Sequence, residues 1–146
     1  MNDEALLIYL YTPLLLSNRR TSHWRERDDG LAVFCRSSRV TIQDYRNILF
    51  HDCGDRVAQM LLLSIDDALN APSQQFILVN THLLFPHNEQ STKIRLREIT
   101  KLLGFVESYK QRELCDSICG RADVKIPVII TGDLNGDQVS VQLLFI

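Results

Sequence analysis

Three side chains with oxygen donors alternate along the chain directly after an apolar run near its end. The run VIIT ends at Thr131, Gly132 follows, and then Asp133, Asn135 and Asp137 occupy every second position. Carboxylate and amide oxygens are the ligands that hard cations such as Ca²⁺ and Mg²⁺ prefer. The spacing therefore fits a calcium loop between two helices, the metal-binding turn of a hydrolase, or an ordinary polar turn after a buried strand.

The calcium-loop alternative fails on the residues that follow. A helix–loop–helix calcium site needs glycine at the sixth position of its loop and a bidentate glutamate at the twelfth. Counted from Asp133, the sixth residue is Gln138 and the twelfth is Leu144. The residues VIIT, which enter the loop, are also β-branched and predict a strand where a helix is required. A hydrolase turn and an ordinary turn remain.

A helix is predicted upstream of this turn by apolar side chains at helical spacing. Either Asn88 or Ser91 can cap its first turn, and Gly104 lies inside it without ending the pattern. The apolar residues that share one face of this helix are Ile99, Leu102, Leu103, Val106 and Tyr109.

This helix separates two predicted strands, Gln75–Thr81 and Ile126–Thr131. A strand–helix–strand unit almost always joins parallel strands, whose carboxyl ends lie at the same edge of the sheet. His82 comes just past the first strand and Asp133 just past the second, at the edge where open α/β sheets bind ligands. The two residues are therefore expected to lie close together, although they are fifty-one positions apart in the sequence.

The rest of the chain predicts strands joined by turns. The segment Ser17–Asp29 carries four arginines and Trp24 and predicts a long surface loop, with a phosphate-facing loop as the alternative. Asp29-Gly30 predicts a turn. The remaining predicted elements are a core element in Ala5–Leu16, a strand in Leu31–Arg36, a turn at Ser37-Ser38, one or two strands in Val40–Phe50 that form a hairpin with the strand before them, and a strand in Arg56–Ile65.

Composition limits the class of protein. The chain has 146 residues, 45% hydrophobic and 23% charged, which predicts one globular domain. A net charge of −2 argues against a strongly basic nucleic-acid-binding surface but allows a local one. The apolar run Ala5–Leu16 is shorter than the about 20 residues of a membrane-spanning helix, and it lacks the positive start of a secretion signal. We therefore expect an intracellular protein, cytoplasmic or nuclear, with reduced cysteines at 35, 53, 115 and 119.

The residues at the predicted sheet edge suit the hydrolysis of a phosphate ester. Such a reaction needs a divalent cation, an oriented water, and donors for the charge that grows on the phosphate oxygens. Asp133 can bind the cation or activate the water, and Asn135 can orient the water or a phosphate oxygen. A protonated His82 can donate to phosphate, and Asn80 can support these groups as a neighbouring amide.

Two short motifs carry a resemblance to a known superfamily. NTHL at Asn80–Leu83 and GDLN at Gly132–Asn135, with DGLAVF at Asp29–Phe34, resemble the endonuclease/exonuclease/phosphatase proteins, which include deoxyribonuclease I-like nucleases, poly(A) deadenylases and neutral sphingomyelinases. The segments GDRVAQ at 54–59 and VNTHLLFPH at 79–87 are similar to a plant-type branch in which a calcium-binding EF-hand region follows the hydrolase domain. The resemblance covers residues 17–136.

The resemblance implies a fold, a chemistry and roles for four residues. The fold would be α/β (α+β), a partial four-layer β-sandwich of the deoxyribonuclease I-like type with helices on the outside. The chemistry would be hydrolysis of a phosphate ester with Mg²⁺ or Mn²⁺, on nucleic acid, a phospholipid or a small molecule. His82 and Asn135 would bind the phosphate, and Asp133 would bind the metal and position the water. Nothing in the sequence predicts the oligomeric state.

Two parts of the family pattern have no match in the chain. The family carries an Asn and then a metal-binding Glu in a Gln-Glu pair in its first strands, and an Asp-His pair in its last strand. Neither part of the pattern occurs here in a matching context. Residues 1–146 are therefore interpreted as a single, incomplete domain of this superfamily. Because residues that act as a unit fail together, we expect impaired hydrolase activity. The alternatives are an inactive truncated isoform or binding fragment, and an unrelated α/β binding domain.

Overall fold

The computed structural model describes residues 7–16, 25–50, 56–65, 74–111 and 126–136. No helix within these ranges is both long and apolar enough to cross a membrane. The arginines at 19 and 20, Trp24, Asp137 and the cysteines at 53, 115 and 119 lie outside the described residues. The elements, in chain order, are β1 (Leu7–Leu16), β2 (Arg25–Arg36), β3 (Val40–Leu49), β4 (Val57–Ile65), β5 (Gln74–His82), α1 (Glu89–Tyr109) and β6 (Val128–Asp133).

The strands form two sheets. Strands β1 and β2 make an antiparallel pair, and the other four form a sheet in the order β3-β4-β5-β6. In this sheet β4 is antiparallel to both of its neighbours, whereas β5 and β6 run parallel. Helix α1 joins the two parallel strands, which confirms the predicted strand–helix–strand unit. A mixed sheet with a helix is the α+β architecture that the resemblance implied.

Helix α1 covers one face of the four-stranded sheet. Its residues Leu102 and Val106 belong to one buried apolar cluster with Ile77 and Val79 of β5. The two helix residues are about one helical turn apart, and the two strand residues are two positions apart. Each spacing puts the two side chains on the same side of their element. The periodicity that predicted the helix therefore reflects its contact with the sheet.

The opposite face of the sheet carries a second cluster. Leu61 and Leu63 of β4 pack there with Cys35 of β2, a free thiol whose pKa is raised by burial. Because successive residues of a strand point to opposite faces, β4 must be apolar at nearly every position to be buried on both sides. The sequence VAQMLLLSI of β4 fulfils this requirement.

Helix α1 begins at a capping box. Asn88 is the N-cap, and its side-chain oxygen accepts a hydrogen bond from the backbone N–H of Gln90 (2.9 Å). In return, Ser91 Oγ accepts from the backbone N–H of Asn88 (3.2 Å). Both predicted cap residues therefore take part, because each satisfies a backbone group that the first helical turn leaves without a partner.

The last turn of α1 is tied to β3. The hydroxyl of Tyr109 donates to Asp44 Oδ2 (2.9 Å), and Arg46 Nε lies 3.0 Å from the same oxygen. Burial acts to raise the pKa of Asp44, but the hydrogen bonds from Arg46, Tyr109 and the Tyr45 N–H outweigh it and hold that pKa below its ordinary value. Asp44 is therefore ionised when it holds the helix to the sheet at neutral pH.

Two predictions about the first half of the chain were wrong. The first is the turn at Asp29-Gly30, because β2 runs through it without a break from Arg25, so that residues 25–29 are strand rather than loop. Gly30 lies opposite Pro13 of β1, beside an irregularity in the pairing register. Proline has no N–H to donate to the sheet, so this point of the ladder is weak already and accommodates a glycine.

The second error concerns the partner of β3. The turn over residues 37–39 occurs as predicted, but β3 pairs with β4 and β2 pairs with β1, so the two strands belong to different sheets. A short turn is compatible with a hairpin and with a passage from one sheet to another. Only the distant partners of each strand decide between them.

Candidate active site

His82 and Asp133 lie side by side at the ends of the two parallel strands. They are paired in the register of β5 and β6, and His82 Nε2 lies 3.8 Å from Asp133 Oδ2. Their side chains are 38% and 63% exposed, so a ligand can reach both. The predicted proximity of the two residues is present, and it places a nitrogen and a carboxylate oxygen close enough to share one phosphate or one water.

The turn after Asp133 is held by its own side chains. Asp133 Oδ1 accepts a hydrogen bond from the backbone N–H of Asn135 (2.9 Å). The φ of Asn135 is 49°, in the left-handed region that asparagine adopts more readily than most residues. This hydrogen bond uses Oδ1 of Asp133 and leaves Oδ2 directed towards His82.

Asn135 also connects the turn to the chain beyond β5. Its Nδ2 donates to the carbonyl oxygen of Leu83 (2.8 Å), and the Leu83 N–H donates to the carbonyl oxygen of Asp133 (2.9 Å). This hydrogen bond uses one of the two Nδ2 hydrogens, so Oδ1 and the second Nδ2 hydrogen of Asn135 are left for a ligand. The three predicted residues His82, Asp133 and Asn135 are thus brought together.

Gly132 permits the close approach of the two strands. It has a φ of 115°, and a Cβ built on it would overlap the backbone carbonyl oxygen of Thr81 in β5. An L side chain is therefore excluded by conformation and by space. Because Thr81 and Gly132 directly precede His82 and Asp133 in the strand register, the glycine sets the distance across the site.

Asn80 lies in the frame of the site. Its Nδ2 donates to the carbonyl oxygen of Ala32 in β2 (3.1 Å) and to Oε1 of Gln59 in β4 (3.3 Å). Gln59 is completely buried. Asn80 therefore joins the two sheets two residues before His82, and within the described part of the chain its amide binds this frame rather than His82 or Asp133.

Glu98 of α1 was not predicted as a site residue, yet it binds the segment that follows His82. It is completely buried, and its Oε2 accepts a hydrogen bond from the backbone N–H of Leu84 (2.9 Å). Burial raises the pKa of Glu98, and the Leu84 N–H and the charges of Arg56 and Arg95 offset this only in part. The available signal was a carboxylate four residues before Leu102, on the apolar face of the helix.

The donors of the site suit one kind of cation. Asp133 supplies a single carboxylate, and the described residues contain no group of three or more His, Cys, Asp or Glu side chains placed to hold a metal. Mg²⁺ keeps several of its waters and is bound through one or two carboxylates together with substrate phosphates. Asp133 therefore fits a largely hydrated ion, and the described donors do not fit a tightly enclosed one.

Comparison with known proteins gives one curated relative. The chain is 36% identical, over 146 residues, to an uncharacterized calcium-binding protein of Arabidopsis thaliana, and the match covers 94% of the chain and 28% of that protein. No protein-family model matches the chain. A plant protein named for calcium binding agrees with the plant-type branch that the motifs predicted. The chain spans little more than a quarter of this relative.

Solved structures give the fold. The catalytic domain of human Nocturnin with bound sulfate has a TM-score of 0.64 and 21% identity, and the match covers 90% of this chain and 43% of that one. TDP2 of D. rerio, complexed with single-strand DNA product, has a TM-score of 0.54 and 17% identity, with 90% and 40% covered. An endonuclease/exonuclease/phosphatase family protein of Bacteroides thetaiotaomicron has a TM-score of 0.51 and 18% identity, with 91% and 44% covered. The chain has the deoxyribonuclease I-like fold of these structures, which is the fold that the resemblance of its motifs implied.

Proposed function

We propose that the protein containing this chain is a Mg²⁺-dependent phosphoric ester hydrolase, and that residues 17–136 belong to its hydrolase domain. The observation that carries the proposal is the pairing of His82 with Asp133 at the ends of β5 and β6, with Asn135 bound to the same segment. Likeness in fold to TDP2 complexed with single-strand DNA product and to an endonuclease/exonuclease/phosphatase family protein supports it.

Each of the three residues has a role that its geometry allows. His82, when protonated, donates through Nε2 to a phosphate oxygen placed beside Asp133. Asn135 offers its amide oxygen to the attacking water. Asp133 Oδ2 would hold the cation, and the positive charge of the cation would offset the negative charge of the phosphate. Because His82 Nε2 and Asp133 Oδ2 are 3.8 Å apart, one phosphate could contact His82 directly and Asp133 through the cation without movement of the strands.

The proposal includes a limit on activity. The Gln-Glu and Asp-His motifs of the family have no match in these 146 residues, and groups that act as a unit lose their effect together. A polypeptide of these 146 residues is therefore proposed to bind a divalent cation and phosphate at the site but to hydrolyse esters slowly. The second candidate, a fragment that only binds, rests on the same two missing motifs.

Binding is tested with Mn²⁺ by NMR. Paramagnetic broadening at stoichiometric Mn²⁺ is expected at the amides of His82, Asp133 and Asn135 first, and Asp133→Asn should abolish it. Glu89→Gln is the matched control, because Glu89 is an exposed carboxylate on α1 and its loss should leave the pattern intact. Broadening centred elsewhere, or broadening that survives in Asp133→Asn, contradicts the proposed metal residue.

Hydrolysis is tested on bis(p-nitrophenyl) phosphate with Mg²⁺. The wild-type chain is expected to show a slow, metal-dependent rate that His82→Ala and Asp133→Asn each remove. A rate that is unchanged in both variants contradicts catalysis at this site. Metal binding without any measurable hydrolysis selects the binding fragment over the enzyme.

A further inference from the structure

The segment His82–Leu84 is held from two sides. On one side, both backbone polar groups of Leu83 are bound, its N–H by the carbonyl of Asp133 at the end of β6 and its carbonyl by the side-chain amide of Asn135 in the turn that follows. On the other side, Leu84 donates its N–H to Glu98 Oε2 (2.9 Å), and α1 also contributes a longer contact of 3.5 Å from Arg95 Nη1 to the Leu84 carbonyl. The direction in which the chain leaves β5 is therefore set jointly by β6 and by α1.

Glu98 is an unfavourable residue for a purely structural position. Its side chain is completely buried, and its Oε1 has no hydrogen-bond partner among the described residues. A buried carboxylate oxygen without a partner lowers the stability of the fold, and an apolar side chain of similar size would avoid that cost. What Glu98 provides and an apolar residue would not is the acceptor for the Leu84 N–H.

We propose that Glu98 is a positioning residue for His82: by accepting the Leu84 N–H, it holds the chain beyond β5 in the path that keeps His82 beside Asp133. The expected effect on phosphate binding rests on the proposed function. The placement of His82 by Glu98 does not depend on that function. Because burial of a carboxylate is unfavourable, Glu98 lowers the stability of the fold while it provides the acceptor for the Leu84 N–H.

Two substitutions at this position separate the hydrogen bond from the packing. Glu98→Gln keeps an oxygen that accepts from Leu84, whereas Glu98→Leu keeps the volume and removes the acceptor. If Glu98→Leu does not fold, Glu98→Met replaces it, since methionine is unbranched and adapts to irregular gaps. Glu107→Leu is the matched control, because Glu107 is an exposed residue of the same helix.

The readouts are hydrogen exchange at the Leu84 amide, the NMR resonances of the His82 ring, and the affinity for inorganic phosphate. In Glu98→Leu, exchange at the Leu84 amide is expected to accelerate about tenfold, as for one lost hydrogen bond. The His82 resonances should shift, and phosphate affinity should fall about tenfold through misplacement of the donor. The melting temperature of Glu98→Leu should stay constant or rise. In Glu98→Gln, exchange at Leu84, the His82 resonances and phosphate affinity should all stay at their wild-type values.

The outcomes distinguish this inference from the proposed function. If Glu98→Leu exposes the Leu84 amide but leaves the His82 resonances and phosphate affinity unchanged, the positioning role is overturned. It is also overturned if Glu107→Leu produces the same changes. If the wild-type chain binds no phosphate, the proposed function fails, and the His82 resonances still decide whether Glu98 positions that ring.

Discussion

Replacement of Gly132 by alanine tests how the site is built. The residue has a φ of 115°, and an added Cβ would overlap the carbonyl oxygen of Thr81 in the neighbouring strand. Movement of a side chain relieves neither difficulty, because one is the backbone conformation of residue 132 and the other is an overlap with a backbone carbonyl. The alanine is accommodated only if β5 and β6 separate where they carry His82 and Asp133.

The size of the effect follows from two contributions. A non-glycine residue held in this part of conformational space costs about 1–3 kcal/mol. Separation of the strands also breaks the hydrogen bond from the Leu83 N–H to the Asp133 carbonyl, which contributes about 0.5–1.5 kcal/mol. Gly132→Ala is therefore expected to lower the free energy of unfolding by about 1.5–4.5 kcal/mol.

Gly104→Ala provides a matched control with the opposite sign. Gly104 lies inside α1, and nothing in the described part of the chain comes within 4 Å of a Cβ added there. Alanine should stabilise the helix by about 0.5–1 kcal/mol. Urea unfolding followed by circular dichroism measures both variants. A Gly132→Ala variant as stable as the wild type, or stabilised like Gly104→Ala, refutes the reasoning.

Three further predictions concern α1 and its contacts. Leu102→Ala should lower the free energy of unfolding by about 2–5 kcal/mol in urea titrations, because it empties a fully buried position between helix and sheet. Asp44→Asn should destabilise the chain at pH 7, and the difference should disappear as the pH falls below the ordinary value of 3.8 and through the lowered pKa in the folded state; a difference independent of pH counts against this. Glu98→Gln should have the reverse profile, because the folded protein holds the proton of Glu98 more tightly than the unfolded chain. It should gain stability over the wild type as the pH rises from 4.5 through the raised pKa, and parallel profiles for the two proteins would contradict the burial of that charge.

The part of the fold that carries the site was predictable because it is local. The apolar spacing of α1, the short apolar runs of β5 and β6, and the turn residues after each strand are all patterns within a few residues. A strand–helix–strand unit has essentially one topology, so it converts two distant motifs into neighbours. His82 and Asp133 could therefore be placed together before any coordinates were known.

The pairing of the first strands could not be predicted in the same way. The Asp29-Gly30 pair resembles a turn, but its partners in β1 draw it into a continuous strand. The short turn after β2 resembles a hairpin, but β3 finds its partner in β4. Strand partnership depends on burial and hydrogen bonding summed over whole strands, which no local pattern records.

The sequence by itself therefore determined the helix, the strands beside it and the three residues at their shared edge. Only the tertiary structure decided which strands pair, and only it identified Glu98 as a contact of the site. The physical reason is that the sequence does not show the role of a carboxylate on an apolar helix face, because that role depends on the group that contacts the carboxylate in the folded chain. Here that neighbour is the Leu84 N–H, two residues beyond His82.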